Sequence, residues 1–448
     1  MKIKTNKCQF EALLKHVLLS FLTLFTTLTF GQIKDHSEAV NKKADKIEQK
    51  VIAWRHDIHQ NPELGNREFR TAALVAKHLE SLGIDVQKEV GVTGVVGILK
   101  GDKPGPVVAL RADMDALPVE EKNDLEFASK VKTTYNGKET YVMHACGHDG
   151  HVAILMGVAE ILSEMRSDLK GTVKFIFQPA EEGAPKGEEG GAELMTKEGV
   201  LENPKVDVIF GLHMDALTEV GQITYRPAGI MAGVNDMKIT VKGKPAHGST
   251  PWLGVDPVLV SAQIITNLQS IVSRNVALTD NAAVVTVGAI NGGNRSNIIP
   301  EQVEMLGTIR TFTEEDEAFV IRRIKEIVEY TSKAAGATAT VEAPYSASYP
   351  VTFNNEKLTE MMLPTLEKSA GKENVTLIPA ITGAEDFSFF AQKVPGLYFF
   401  VGSTTIGTDI KTVGDHHTPQ FLMDDSSFKT GVKAMCNLVF DYMALKSQ

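Results

Sequence analysis

Short apolar runs and amphipathic stretches alternate along most of this chain. "SEAVNKKADKIEQKVIAWRHDIHQ" repeats apolar positions every three to four residues and predicts a helix. A turn at "NPELG" separates it from a second helical pattern, "REFRTAALVAKHLESLG". Runs rich in β-branched residues then recur: "GVVGIL", "PVVALRAD", "TVKFIFQ", "VDVIFGLH" and, much later, "GLYFFVG". Segments of helical period, "HVAILMGVAEILSEM" among them, lie between several of these runs. Strands that are apolar throughout are buried on both sides. The pattern therefore predicts an α/β fold, a mostly parallel sheet with helices on both faces.

Between about Gly233 and Pro344 the pattern changes. It reads as strand "DMKITVKGK", helix "DPVLVSAQIITNLQSIVS", strand "AAVVTVGAI", strand "EQVEMLGTIRTF", helix "EDEAFVIRRIKEIVEYTSKAA" and strand "ATATVEA". The order βαββαβ is that of a ferredoxin-like unit. The expected organisation is a catalytic domain built from 37–232 and 345–448, with a lid or dimerisation domain, 233–344, inserted in it. A length of 448 residues suits two domains better than one.

The first 31 residues stand apart. Lys2, Lys4, Lys7 and Lys15 precede the apolar run "VLLSFLTLFTTLTF", which is short for a membrane span. This reads as a signal peptide, 1–31, with the mature chain starting near Gln32 and exported to the periplasm or secreted. No stable membrane span is expected once the leader is removed. The formal net charge of -10 argues against nucleic acid as a partner. Three cysteines are too few for a disulfide framework. Cys8 falls in the leader, and Cys436 reads as a small buried hydrophobe.

The third, Cys146, lies in "MHACGHDGH", between His144 and His148 and close to His151, where a helix begins. Other polar residues fall just past strands. Asp113 and Asp115 follow "PVVALR", Glu181 and Glu182 follow "TVKFIFQ", and His213 ends "VIFGLH". A loop downstream, "GDHHTPQF", adds His416 and His417. Ligands of open α/β sheets bind at the carboxyl ends of the strands, so these side chains are expected to converge. Thiolate and imidazole favour borderline-soft ions such as zinc; carboxylates also admit manganese or cobalt. The candidate metal ligands Cys146, His148, Glu182, His213 and His417 exceed the three of an ordinary catalytic zinc site. Two divalent ions about 3.5–4 Å apart, sharing a thiolate or water, would use the whole set. Of the adjacent Glu181 and Glu182 only one easily reaches a given ion, leaving the other as a general base toward water.

The motifs "RADMDALP", "HACGHDGH", "QPAEEG", "GLHM", "GKPAHGSTP", "NIIP", "GTIRTF", "AEDFSFF" and "HHTPQF" together resemble those of metal-dependent amidohydrolases of the aminoacylase superfamily. The similar branch is that of hippurate hydrolases and indole-acetyl-amino-acid hydrolases. The resemblance implies that Cys146, His148, Glu182, His213 and His417 bind metal and that Glu181 is the base. Many peptidases of the superfamily carry His-x-Asp where this chain has Asp113 and Asp115, which favours the amidohydrolase branch. Asp115 then resembles the aspartate that orients a ligand, and Asp113 reads as a turn cap. In the inserted unit, His247 resembles the histidine that stabilises the oxyanion, sometimes in a partner subunit. Asn297 and Arg310 resemble the groups that bind the substrate carboxylate. His56 and His59 are expected to pack near a turn and His78 to face solvent.

The expected activity is metal-dependent hydrolysis of the amide bond of small-molecule N-acyl amino acids, in a homodimer formed through the inserted domain. A dipeptidase or carboxypeptidase with the same machinery is the alternative. A non-catalytic binding protein is a weaker one.

Overall fold

The apolar runs become the strands of an eight-stranded sheet in a computed structural model that describes residues 34–277, 282–346 and 348–446. The expected leader and Gln32 lie outside the described residues. Two amphipathic helices come first, α1 (Ser37–Gln60) and α2 (Phe69–Ser81). In α1, Val40, Ala44, Ile47, Val51 and Ile58 form the buried stripe. Strands β1 (Asp85–Val90), β2 (Gly94–Lys100) and β3 (Lys103–Asp113) follow, then α3 (His148–Glu164), β4 (Lys170–Gln178), β5 (Val208–Glu219) and β6 (Ile223–Tyr225).

The chain then builds a second sheet. Its elements are β7 (Gly233–Lys242), α4 (Pro257–Ser270), β8 (Val284–Asn291), β9 (Gln302–Thr311), α5 (Glu314–Ala334) and β10 (Thr338–Glu342). The strand order β8-β9-β7-β10, antiparallel throughout, is the ferredoxin-like arrangement that βαββαβ predicts. Ser348–Tyr349, beyond the expected boundary at 344, also pairs with β7. This sheet has its own core, in which Ile239 and Val241 of β7 meet Ile264 of α4 and Ile324 of α5. Thr313 caps α5, its hydroxyl accepting from Asp316 N at 3.0 Å.

The return supplies α6 (Glu356–Ala370), β11 (Val375–Leu377), β12 (Gly396–Thr404) and α7 (Phe428–Lys446). The large sheet runs β1-β2-β4-β3-β5-β12-β6-β11. Its centre, β4-β3-β5-β12, is parallel, and antiparallel pairs flank it. Both faces are buried. Phe210, Leu110 and Phe399 point to the core shared with α1, α3 and α7, while Ile209, Ala109 and Tyr398 point to a second core on the other side. Truncating a side chain as enclosed as Phe210 to alanine would cost about 3–5 kcal/mol.

One strand is longer than its sequence suggests. β5 passes His213 and continues to Glu219, because pairing with β12 carries on through His213 opposite Phe400 and Met214 opposite Val401. His213 is therefore held inside a strand, not on a loose end.

Candidate metal centre

Cys146 lies between two sets of ligand atoms. Its Sγ is 3.5 Å from His213 Nε2 and 3.3 Å from His417 Nε2. His417 Nε2 is in turn 3.0 Å from Glu182 Oε1. Cys146, His148 and His213 form one group whose ligand atoms lie within 4.8 Å of one another, and Cys146, Glu182 and His417 form a second. Four separate stretches of chain, those of Cys146 with His148, of Glu182, of His213 and of His417, thus meet at one thiol.

The rings are held so that their ligand nitrogens face inward. His213 Nδ1 donates to the Met214 carbonyl at 2.7 Å, leaving Nε2 toward Cys146. His148 Nδ1 donates to the Asp115 carbonyl at 2.8 Å, and its Nε2 is buried with no hydrogen-bond partner. Asp115 also reaches the glutamate turn, where its Oδ2 accepts from Glu182 N at 2.9 Å. Gly147, at φ +99, turns the chain from Cys146 into α3, and a Cβ there would stand 3.1 Å from Met423 Sδ. His417 sits at φ +62 with its N–H on the Ala145 carbonyl at 2.7 Å, a strained backbone next to the cysteine it meets. Its neighbour His416 turns away, with Nε2 accepting from Ala216 N at 3.3 Å.

A cation fits these residues. Burial and the carboxylates Glu182 and Glu181 push the Cys146 thiol well above its usual range. An orphaned imidazole nitrogen, a thiol and a carboxylate in one buried spot suit a divalent ion, which favours the thiolate. Glu181 Oε2 stands 3.9 Å from His148 Nε2. Burial, and then Glu385 and Glu182, push its carboxyl well above the ordinary range.

Asp113 is no turn cap. It is fully buried, its Oδ2 bound to Arg111 Nη1 at 2.7 Å and its Oδ1 to His151 Nδ1 at 2.6 Å. His151 Nε2 accepts from Met214 N at 2.8 Å, so this chain of bonds also braces the strand at His213. Arg111 binds Glu385 at 2.8 Å, Asp386 at 3.0 Å and Gln178 at 2.8 Å as well. Little in the local sequence marks this network. Its one signal was an arginine inside an apolar strand. His59 does more than pack: Asp149 Oδ2 takes both its Nδ1 and Arg55 Nε at 2.8 Å, tying α3 to α1. His78, expected in solvent, is half-buried on the Met156 carbonyl at 3.0 Å.

The cleft above Cys146 has a volume of about 900 Å³. Arg310 and Asp236 line it from the second sheet, and Leu217, Met231, Ile381 and Phe400 give it an apolar wall. His247 and Asn297 are not among its lining residues. They lie together elsewhere, Gly248 N donating to the Asn297 carbonyl at 2.9 Å, with His247 exposed. Ser249 N–H donates to His247 Nδ1 at 3.0 Å, which in the neutral ring puts the proton on Nε2.

Comparison with known proteins agrees with this geometry. The model of Peptidase family M20/M25/M40 matches residues 109–441. A "Thermostable carboxypeptidase 2" of Saccharolobus solfataricus is 39% identical over 91% of this chain and 99% of its own length. An "IAA-amino acid hydrolase ILR1-like 2" of Arabidopsis thaliana is 35% identical over 90% of this chain and 88% of its own. A Bacillus subtilis protein described as a dinuclear metal binding peptidase from the M20 family superposes with a TM-score of 0.74 at 32% identity, covering 89% of this chain and 99% of that one. Among the described residues no helix is long and apolar enough to cross a membrane. With its buried thiol, imidazole and carboxylate cluster, the chain is a metal-binding amidohydrolase and belongs to peptidase family M20/M25/M40.

Proposed function

We propose that this enzyme hydrolyses the amide bond of N-acyl amino acids, releasing a carboxylic acid and a free amino acid. The observation that carries the reading is the division of labour around Cys146. Two ligand groups share its thiol, and Glu181 stands beside them without being needed by the pair they form. Cys146, His148 and His213 would hold one ion, and Cys146, Glu182 and His417 the other; zinc, manganese and cobalt suit the donors. Ions bound there supply Lewis acidity toward the scissile carbonyl and the attacking water. Glu181 takes the proton from that water and returns it to the leaving nitrogen. Asp115 keeps the His148 ring in place.

His247 donates a hydrogen bond from its Nε2–H to the oxyanion. Its exposure on the short strand Ala246–His247, outside the cleft, supports delivery to a partner subunit in a homodimer built through the inserted sheet, read as a separate lid domain at 233–344. Arg310 pairs with the substrate carboxylate from within the cleft, and Asn297 assists from the turn beside His247. The apolar wall suits an acyl group. The basic, apolar leader supports export, with a mature start near Gln32. N-terminal sequencing that finds Met1 on the active soluble protein would overturn that part.

A second reading, an exopeptidase, is favoured by the relative named as a carboxypeptidase at 39% identity. Turnover of benzoyl and acetyl amino acids against free dipeptides separates the two. A higher kcat/KM on dipeptides would sink the amidohydrolase assignment to N-acyl substrates.

A further inference from the structure

The turn bearing Glu181 and Glu182 is strained and held from outside. Ala180, just before Glu181, has φ +50, where a residue with a Cβ stays only if its surroundings hold it. Three side chains reach the turn's backbone. Glu68 Oε1 accepts from Ala180 N at 2.8 Å, Asp115 Oδ2 accepts from Glu182 N at 2.9 Å, and the Tyr349 hydroxyl donates to the Glu181 carbonyl at 3.0 Å.

The first two come from the half of the molecule that holds the metal ligands. Tyr349 does not. It lies on the short strand Ser348–Tyr349, paired to Val234 and Asn235 at the start of β7, the first strand of the inserted sheet. Its ring meets Phe389 edge-on at 6.0 Å between centroids, three residues past the Asp386 that binds Arg111. Tyr349 also lines the cleft. One side chain therefore joins the inserted sheet to the backbone of the residue read as the base.

We propose that Tyr349 is a positioning residue, tying the seat of the inserted sheet to the aim of Glu181. A bond at the Glu181 carbonyl fixes the peptide plane between residues 181 and 182, and so the direction of the Glu181 side chain. Proton transfer depends steeply on such placement. A shift of the inserted sheet on substrate binding would reach the base through this hydroxyl. The proposal rests on the reading of Glu181 as base.

The test compares wild type, Tyr349→Phe and Glu181→Gln as metal-loaded full-length enzymes on one benzoyl amino acid. It reads kcat, KM, bound metal and thermal midpoint. The phenylalanine keeps the ring on Phe389 and removes only the hydroxyl. The expected result is kcat lowered about tenfold with KM within about twofold, and metal content and thermal midpoint unchanged. A Tyr349→Phe kcat within twofold of wild type, beside an inert Glu181→Gln, overturns the positioning role and leaves the base intact. An active Glu181→Gln overturns the base, and the role of Tyr349 with it. A Tyr349→Phe enzyme that fails to fold, or loses activity only in proportion to lost metal, shows a stability element and also overturns the proposal.

Discussion

The cluster at Cys146 and the short strand at His247 are built on opposite terms. At the first, each ring has its far nitrogen or its backbone held by the same chain. His148 rests on Asp115, His213 on the Met214 carbonyl, and His417 is pinned to Ala145. At the second, Ser249 holds one nitrogen of His247 and the ring otherwise stands in solvent. A site closed by its own chain can bind ions with little rearrangement. A donor left exposed can act only where something is brought to it. The difference separates a preorganised cluster from a donor that, on the proposed reading, would act only once a homodimer assembles.

The contrast can be broken at several points. Replacing Cys146 by alanine removes the atom both ligand groups share. Lewis-acid stabilisation worth several kcal/mol would go with the ions, so activity should fall by about 10⁴-fold together with metal content. Elemental analysis alongside kinetics checks this, and a fully metallated, active variant would end the reading of the cluster. The thiol should resist alkylation while metal is bound and react after chelation. Cys436, fully buried in α7, should not change in step. Glu181→Ala should keep its metal and lose about 10³-fold in kcat, within the range of general-base removal. Near-normal turnover would disprove the assigned role.

His247→Ala should lower kcat by about 10²-fold with metal content unchanged, the loss expected of one oxyanion donor. Mixing it with Glu181→Ala sharpens the comparison. If the donor crosses between subunits, mixed dimers hold one intact site and the mixture should recover about a quarter of wild-type activity. No recovery in confirmed mixed dimers would place His247 in its own subunit's site.

The smallest effect concerns Glu68, behind the glutamate turn. Burial, and then the Asp115 carboxylate, raise its pKa to about 8. A carboxyl raised above its unfolded value stabilises fully below that value, and the contribution is lost as pH rises toward 8. Glu68→Gln should therefore gain a few degrees in thermal midpoint at pH 8 and nothing at pH 4. A gain that is flat across this range would contradict the assignment.

Much of this was written locally. The period of the apolar positions identified α1 over the same residues the structure shows, and the βαββαβ order of the insertion. Donor types named the candidate ligands, because thiol, imidazole and carboxylate carry their chemistry wherever they are placed. His417 rather than His416 is already the candidate from the sequence, but the backbone at φ +62, held by Ala145, that lets it meet Cys146 is not local. Nor was the burial of Asp113, which needs Arg111 and His151 as partners from two different elements. The carboxylates that hold Arg111, Glu385 and Asp386, lie more than 270 positions away along the chain.

The sequence by itself determined what is periodic or intrinsic: helices, buried strands, the inserted unit and the kinds of metal donor. Only the tertiary structure decided what depends on distant partners. It carried β5 past His213 by pairing it with β12, oriented each imidazole, brought Arg310 into the cleft, and left His247 outside it. Periodicity arises within a few neighbouring residues, whereas a strand's end, a ring's tautomer and a side chain's burial are set by groups the chain brings together only on folding.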